Sequence, residues 1–435
     1  MDLLDVSLET GWLPWTVIVL GVLGAIFLLC RRERWWWIYF VPGVLIVSAV
    51  AAWIIGHSVA ESLFAAPLKL ADIVWIGVAI AAVGLAIGFM FGTAVWRKIV
   101  AVFAAIFVIA LAGNEVNKSY SEYPRLGDLL GVASDQEITG PPSIASDRST
   151  APLPSGPLAS VWTPTGANIP TDGKGKVSQI ELPATISGFQ AREGWVYYPP
   201  AYFADNPEPL PVLVLLHGQP GGPGDWQTGD RVQAAMNDYA AQHKGIAPVV
   251  VMPDATGGET DNPLCADTSL GKVDTYLSKD VPNAINSQLL VQTDPKHWAI
   301  GGFSYGGTCA LQMVTNHPDV YTSFIDISGE EAPTLGTRQQ TIDTAFGGSE
   351  PKYQAVNPLD IMAAKQFPQI SGWFIVGADD TDFVNAQKKV YAAAKAAGMD
   401  VQYWEVPGTG HDWSLGTTGL DHVMTWLGQR LGLNE

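Results

Sequence analysis

One serine of this chain lies in a pattern that suits nucleophilic catalysis. Ser304 is the centre of the segment Gly302-Phe-Ser-Tyr-Gly306, which follows an apolar stretch and precedes a stretch with the composition of a helix. A serine on a tight turn between a strand and a helix has an exposed hydroxyl, and the flanking glycines leave room for that turn. A glycine–serine turn without chemistry is the alternative. The position between strand and helix favours Ser304 as a nucleophile.

A serine nucleophile needs a general base, which is most often a histidine. The chain contains seven histidines. In hydrolases built around this kind of turn the order along the chain is serine, acid, histidine, and only His411 and His422 come late enough. His422 falls within the last predicted helix, where a structural histidine is expected. His411 follows the last predicted strand in a loop, and we predict that it is the base.

The acid that orients this histidine is expected after the strand between Ser304 and His411. The segment Gly377-Ala-Asp-Asp-Thr-Asp382 follows such a strand. A carboxylate there would hold the imidazole and stabilise its charged form. We favour Asp380 and keep Asp379 and Asp382 as alternatives. The two that are not used would be turn residues or helix caps.

An oxyanion hole needs backbone N–H groups that are fixed before the reaction. The segment Leu216-His-Gly-Gln-Pro-Gly-Gly222 ends an early apolar strand. We predict that the amides of Gln219 and Tyr305 form the hole, although this segment could also be a simple turn. The sequence contains no HExxH and no P-loop pattern. We therefore predict no metal and no cofactor.

From Lys176 onward, short apolar runs alternate with helical stretches. This alternation predicts an α/β domain over residues 176–435, with a mostly parallel sheet covered by helices on both faces. The predicted strands are 177–182, 194–198, 212–216, 248–252, 298–301, 324–327, 373–376 and 401–406, with the first two antiparallel at a sheet edge. The predicted helices are 231–242, 277–289, 307–316, 382–396 and 419–431.

Residues 1–113 form a different region, with long apolar runs and almost no charge. About 20 apolar residues suffice to cross a bilayer, and four spans are predicted at about 12–30, 36–55, 73–95 and 97–113. A cleaved signal peptide does not fit, because the basic cluster follows the first span. The span interiors carry no charged residue, which favours an anchor over a transport path.

The basic residues of this region also predict its orientation. They cluster at 31–34 and 97–98, between the first and second and between the third and fourth spans. Loops rich in Lys and Arg face the cytoplasm. We therefore expect the N-terminus and everything after Gly113 to be extracytoplasmic, in a multi-pass protein of the cell membrane.

Between these regions, residues 114–175 are rich in Pro, Ser and Gly, which is typical of an extended linker. The six basic and six acidic residues of 1–113 cancel, so the formal net charge of −18 belongs to the remainder. Such a surface excludes nucleic acid as a partner. An extracytoplasmic location would permit a disulfide between Cys265 and Cys309, a question left open here. The loop Asp261–Asp267 could line the pocket or be a solvated acidic loop, and we favour the second interpretation.

Four segments carry a family resemblance: Gly302-Phe-Ser-Tyr-Gly-Gly, His217-Gly, Gly377-Ala-Asp-Asp and Gly410-His-Asp-Trp. They resemble the esterase D, feruloyl esterase and enterochelin esterase branch of the α/β-hydrolases, a group related to the mycolyltransferases of actinobacterial envelopes. The resemblance covers about residues 176–435, and the N-terminal region resembles that of actinobacterial membrane esterases. It implies an α/β-hydrolase fold, a triad of Ser304, Asp380 and His411, and an oxyanion hole from the two amides named above.

The sequence departs from the mycolyltransferase pattern, which has Asp-Gly in place of His217-Gly218 and a glutamate as the acid. This favours hydrolysis over acyl transfer. We expect a membrane-anchored extracytoplasmic serine esterase that acts on a small-molecule or lipid-linked envelope ester through an acyl-enzyme. An aminoacyl ester of a lipid is one candidate, since its ammonium group would suit the acidic domain. The alternatives are an acyltransferase and a non-catalytic binding scaffold, and the complete set of Ser304, Asp380 and His411 argues against the scaffold.

Overall fold

The computed structural model describes residues 3–59, 68–132, 136–140, 142 and 156–434. They fall into two compact units, Met1–Ala133 and Ser134–Glu435. The first unit is helical and the second contains an extended sheet with helices. This division follows the change in composition along the sequence, and each unit has its own apolar core.

The first unit contains four helices that are long and apolar enough to cross a membrane. They are α1 (Trp12–Leu29), the helical segment Trp36–Ser58 that contains α2 (Val41–Ile54), α3 (Leu70–Phe89) and α4 (Val95–Tyr120). The π-helical turns Trp36–Phe40 and Ile55–Val59 extend α2 at both ends. Few of their side chains are buried against one another, and many large apolar side chains are exposed on the outside. Such exposure is what a lipid environment stabilises.

Two of the helices differ in length from the spans predicted for them. The third helix ends at Phe89 and not at residue 95, and the fourth continues to Tyr120, beyond the predicted end at Gly113. The end of an apolar run predicts where a segment leaves the membrane. The helix itself can continue beyond that point, for as long as its backbone hydrogen bonds are formed. The last turns of α4 are polar and include an ion pair between Lys118 and Glu115. The helix stops at Ser121, which adopts a left-handed conformation.

The two basic clusters lie at the same end of the first unit. Arg31 is buried, and its Nη1 donates a hydrogen bond to the carbonyl oxygen of Gly88 at the end of α3. Arg97 at the start of α4 donates from Nη2 to the carbonyl oxygen of Cys30 at the end of α1. These arginines donate to carbonyl groups at helix ends, where the regular backbone bonds of the helix stop. The turns after α1 and α3 are thereby tied together.

The predicted linker, residues 114–175, differs from expectation at both ends. Its first residues belong to α4, and its last part packs on the second unit. Leu158 and Trp162 are buried there, and the amide of Leu158 donates to the carbonyl oxygen of Gly432 at 2.9 Å. Single apolar side chains within this Pro/Ser/Gly-rich stretch indicate that it packs, but the average composition of the stretch does not reveal them. Residues 133–135, 141 and 143–155 of the predicted linker lie outside the described residues.

The second unit is built on an eight-stranded sheet with the order β1-β2-β4-β3-β7-β8-β9-β10. The pairs β1–β2 and β2–β4 are antiparallel and all others are parallel. The central strands are buried along their whole length, as strands covered on both faces must be. The strands of the large sheet are β1 (Lys176–Ile180), β2 (Gly194–Tyr198), β3 (Val212–Leu216), β4 (Val249–Met252), β7 (Trp298–Phe303), β8 (Ser323–Ile327), β9 (Ser371–Gly377) and β10 (Asp400–Val406).

A small hairpin is formed by β5 (Asp267–Thr268) and β6 (Gly271–Lys272). The longer helices of the second unit are α5 (Arg231–Gln242), α6 (Val281–Gln288), α7 (Tyr305–Asn316), α8 (Arg338–Phe346), α9 (Pro358–Ala364), α10 (Thr381–Ala396) and α11 (Trp413–Arg430). Shorter helical turns are Leu126–Leu129 in the first unit and Leu158–Val161, Pro200–Phe203, Thr228–Asp230, Val273–Thr275, Tyr276–Asp280, Pro295–His297 and Glu350–Gln354 in the second.

The helices between β8 and β9 were not predicted. Helix α8 has its apolar residues only near its C-terminal end, so no repeated apolar stripe marks it. A local signal was nevertheless present. Thr337 and Gln340 form a capping box, in which each side chain bonds the backbone N–H of the other residue. This pattern of a threonine followed three residues later by a glutamine marks a helix start.

Candidate active site

Ser304 occupies a strained turn between β7 and α7. Its φ is +57° and its ψ is −119°, in a region that residues other than glycine rarely adopt. The Ser304 amide donates to the carbonyl oxygen of Ile327 on β8 at 2.8 Å. The neighbouring strand and the helix that follows thus hold a conformation that would otherwise be unfavourable. Strain of this kind is typical of functional sites.

The two glycines of the motif are required because other backbone atoms lie close to each of them. A Cβ atom at Gly302 would lie 2.4 Å from the carbonyl carbon of Gly306. A Cβ atom at Gly306 would lie 2.4 Å from the carbonyl oxygen of Leu216, at the end of β3. Neither position has space for a side chain. The turn therefore brings the nucleophile directly beside the loop that follows β3.

His411 lies within hydrogen-bond distance of the nucleophile. The distance from His411 Nε2 to Ser304 Oγ is 2.8 Å. His411 belongs to the loop between β10 and α11, and the side chain of Asp412 caps that helix by accepting from the amide of Ser414. The imidazole also packs against the rings of Phe303 and Phe383, with centroid distances of 5.0 and 4.1 Å. These contacts fix the ring beside the serine.

Of the three possible acids, the structure places Asp380 beside the histidine. Its Oδ2 is 3.4 Å from His411 Nδ1, an ion-pair contact whose alignment falls short of a hydrogen bond. Its Oδ1 accepts from the amide of Phe383 and caps α10. The side chains of Asp379 and Asp382 are exposed. Asp380 is thus both the helix cap and the carboxylate nearest the imidazole.

The two residues whose amides are predicted to form the oxyanion hole lie on the segments next to the nucleophile. A Cβ atom built on Gly218 would lie 3.7 Å from Ser304 Cβ, so the loop carrying Gln219 passes beside the serine. Tyr305 is the first residue of α7, where helix geometry leaves backbone N–H groups without internal partners. Within the described ranges, neither amide donates to a backbone carbonyl.

The loop Asp261–Asp267 is not a solvated acidic loop, and that interpretation was wrong. Leu264, Cys265 and Ala266 are buried. Cys265 and Cys309 form a disulfide with a Cα–Cα distance of 5.5 Å. The amide of Cys265 also donates to the hydroxyl oxygen of Tyr305 at 3.0 Å. The loop is therefore fixed to the helix that begins at the nucleophile.

Sequence analysis missed a group of buried polar residues beside the His217 loop. Asp254 lies two residues beyond the end of β4, is fully buried and contacts both Arg192 and His217. A carboxylate at the C-terminal end of a central parallel strand is the signal that could have found it, because ligands bind at this edge of such sheets.

A second buried carboxylate supports the turn from behind. Asp326 on β8 accepts from the amide of Gly329 and from Gln387 Nε2. Burial raises the pKa of Asp326 to about 7. Its Oδ1 would lie 2.4 Å from a Cβ atom at Gly307 in the first turn of α7. Asp326 therefore belongs to the packing behind the nucleophile and not to its open side.

The remaining late histidine has a structural position. His422 lies within α11 and its ring stacks on Trp404 at a centroid distance of 4.0 Å, as expected for a packed helix residue. In the part of the chain that the structure describes, no group of three or more His, Cys, Asp or Glu side chains is arranged to hold a metal ion.

Comparison with known proteins shows the family of the chain and the fold of its second unit. A protein-family model described as "Putative esterase" matches residues 190–423. An uncharacterised protein of Corynebacterium glutamicum is 39% identical over 347 residues, which are 76% of each chain. An S-formylglutathione hydrolase from Agrobacterium tumefaciens covers 60% of this chain and 98% of its own, with 17% identity and a TM-score of 0.50. A ferulic acid esterase covers 59% of this chain and 99% of its own, with 18% identity and a TM-score of 0.49. The likeness to the S-formylglutathione hydrolase shows that the second unit has the α/β-hydrolase fold.

Proposed function

Because the chain belongs to the putative esterase family and is a carboxylic-ester hydrolase, we propose that it cleaves its substrate with a triad of Ser304, His411 and Asp380. The observation that carries this proposal is the 2.8 Å contact between Ser304 Oγ and His411 Nε2. A base at hydrogen-bond distance can take the serine proton as the oxygen attacks. Asp380 at the other ring nitrogen supports the tautomer in which Nε2 is free to accept.

The proposed reaction has two steps. Ser304 Oγ attacks the ester carbonyl carbon while its proton moves to His411 Nε2, and the resulting oxyanion is bound by the amides of Gln219 and Tyr305. The C–O bond to the alcohol then breaks, and the alcohol takes the proton from His411. Water next attacks the acyl-enzyme with His411 as base. The carboxylic acid leaves and Ser304 regains its proton.

The four apolar helices associate the chain with a membrane. We propose that all four cross it, with the catalytic unit on the extracytoplasmic side. Arg31 and Arg97 lie at one end of the first unit, which the positive-inside rule assigns to the cytoplasm. The Cys265–Cys309 disulfide fits an oxidising compartment. A membrane-associated site with this chemistry suits an ester of the envelope or one linked to a lipid.

The test uses the full-length protein in detergent micelles with p-nitrophenyl acetate and butyrate. Wild type is expected to show an initial burst followed by steady turnover, and Ser304→Ala neither. Ser287→Ala is the matched control, because this hydroxyl belongs to α6 and donates to the carbonyl oxygen of Ala284 in the same helix, and its loss is expected to leave turnover intact. Acyl transfer to an added alcohol in preference to water would identify an acyltransferase instead. A folded wild type without turnover would support a binding scaffold.

A further inference from the structure

A buried carboxylate lies beside the proposed oxyanion hole, and the mechanism above gives it no role. We call residues 217–222 the oxyanion loop. Asp254 is fully buried next to this loop. Its Oδ2 accepts from the amide and the Nε of Arg192 at 2.8 and 3.0 Å, and its Oδ1 accepts from Arg192 Nη2 at 2.8 Å. This paired arrangement is geometrically specific and stronger than a neutral hydrogen bond.

Further donors complete the surroundings of Asp254. The amides of Thr256 and Gly257 donate to Oδ1 and Oδ2, each at 3.1 Å. Burial opposes ionisation, but the hydrogen bonds from Arg192 outweigh it and hold the pKa of Asp254 well below its usual range. Asp254 is therefore a charged and well-bonded fixed point at neutral pH.

Two links run from this fixed point to the oxyanion loop. Arg192 Nη2 donates to the carbonyl oxygen of Gly221 at 3.0 Å. His217 Nε2 lies 3.3 Å from Asp254 Oδ1, and His217 Nδ1 lies 2.7 Å from the carbonyl oxygen of Gly218. Since a carbonyl oxygen can only accept, His217 Nδ1 carries the ring proton. Nε2 then accepts from the amide of Ala255 at 3.2 Å, so the residue that follows Asp254 holds the ring in place. The loop is thus held near both of its ends.

The bond to Gly218 has a direct consequence for the proposed hole. The carbonyl of Gly218 and the N–H of Gln219 belong to one planar trans peptide unit, so they point in opposite directions. The hydrogen bond from His217 to this carbonyl therefore fixes the direction of the Gln219 N–H. It also polarises the amide and makes its N–H a better donor.

We infer that Asp254 is a positioning residue of the oxyanion hole, acting through Arg192 and His217 on the oxyanion loop. The inference rests on the proposed function, because it takes the Gln219 amide as a donor to the oxyanion. A donor that is aligned before the reaction lowers the energy of the transition state more than that of the bound substrate. Loss of the network is therefore expected to lower kcat and to leave KM nearly unchanged.

The test compares Asp254→Asn with Asp280→Asn in the full-length protein in micelles. Asp280 is an equally buried carboxylate, which accepts from the amides of Ile186 and Ser187 at 2.8 and 2.9 Å and, among the described residues, from no group of the oxyanion loop. With p-nitrophenyl butyrate, Asp254→Asn is expected to lower kcat by about 10- to 100-fold, since loss of a whole oxyanion donor costs about 10²- to 10³-fold. KM stays within about twofold. Asp280→Asn leaves both values near those of wild type.

Amide hydrogen exchange followed by mass spectrometry supplies a readout that does not depend on activity. Asp254→Asn is expected to raise exchange in peptides covering the oxyanion loop, and Asp280→Asn in those covering residues 185–187. Arg192→Gln leaves the buried carboxylate in place and removes the link to Gly221. Arg192→Gln is expected to raise exchange in the oxyanion loop as well and to lower kcat by a smaller factor. If Asp254→Asn does not fold, the result for Arg192→Gln tests the inference.

The inference is overturned if the folded variants at positions 254 and 192 match Asp280→Asn in both kcat and loop exchange. A wild type without Ser304-dependent turnover would instead refute the proposed function. Exchange in the oxyanion loop would then decide by itself whether the network holds that loop.

Discussion

Asp380→Asn separates the catalytic role of this side chain from its structural role. Asparagine is also a good N-cap, so its side-chain oxygen can still accept from the amide of Phe383 and hold the start of α10. What is lost is the negative charge 3.4 Å from His411 Nδ1. The variant therefore removes stabilisation of the imidazolium that forms during the reaction and leaves the fold largely unchanged.

The size of the effect follows from that distance. Two unit charges 3.4 Å apart attract by about 5 kcal/mol at an effective dielectric constant of about 20. Both side chains are partly exposed, with relative accessibilities of 23% for His411 and 17% for Asp380, so about 3 to 5 kcal/mol is a suitable range. Since each 1.36 kcal/mol is tenfold in rate, kcat is expected to fall by about 10²- to nearly 10⁴-fold.

The assay measures kcat for p-nitrophenyl butyrate in micelles, together with the thermal unfolding midpoint. Asp379→Asn and Asp382→Asn are matched controls, because both side chains are exposed on the same turn, and they are expected to stay within about twofold of wild type. A folded Asp380→Asn variant within fivefold of wild type would refute this reasoning. An equal loss in Asp379→Asn would do the same.

Three further predictions concern the disulfide, a buried acid and the membrane orientation. Replacing Cys265 and Cys309 with alanine opens a closed loop of 44 residues and is expected to destabilise the fold by about 4 kcal/mol; a loss below about 1 kcal/mol in thermal unfolding would contradict this. The pKa of Asp326 lies at about 7, above its ordinary value of 3.8, so the folded state favours the protonated form. Between pH 4 and 7 the free energy of unfolding of the wild type should therefore fall by up to about 4 kcal/mol more than that of Asp326→Asn. Parallel pH profiles of the two unfolding free energies would refute this prediction. Cys30 is exposed and is the remaining thiol. A membrane-impermeant maleimide should label it only after the cells are permeabilised. Labelling in intact cells would reverse the proposed orientation.

The sequence was sufficient to predict the parts of the fold that have a strong local pattern. All eight strands of the large sheet were predicted within three residues of their observed ends, because each is a short apolar or alternating run bounded by turns. The α/β-hydrolase fold and the esterase class were also predicted and are confirmed. The assignment of Ser304, Asp380 and His411 as a triad remains a proposal, which their contacts support.

What the sequence did not reveal depends on contacts between distant segments. Asp254 and Arg192 are 62 positions apart, and nothing near either residue indicates that they meet. The burial of Leu158 depends on packing and on hydrogen bonds to the C-terminal end of the chain. The choice between Asp379 and Asp380 likewise depends on which side chain the turn after β9 directs to His411. Local composition determines none of these contacts.

The most direct test of the central claim is covalent labelling of the full-length protein with a fluorophosphonate, followed by peptide mass spectrometry. A fluorophosphonate reacts with a serine that has been activated by a neighbouring base. We predict a single adduct on the peptide containing Ser304, formed in step with the loss of ester hydrolysis and absent from His411→Ala. An adduct on another residue, or hydrolysis that continues after Ser304 has been fully labelled, would contradict the proposed mechanism.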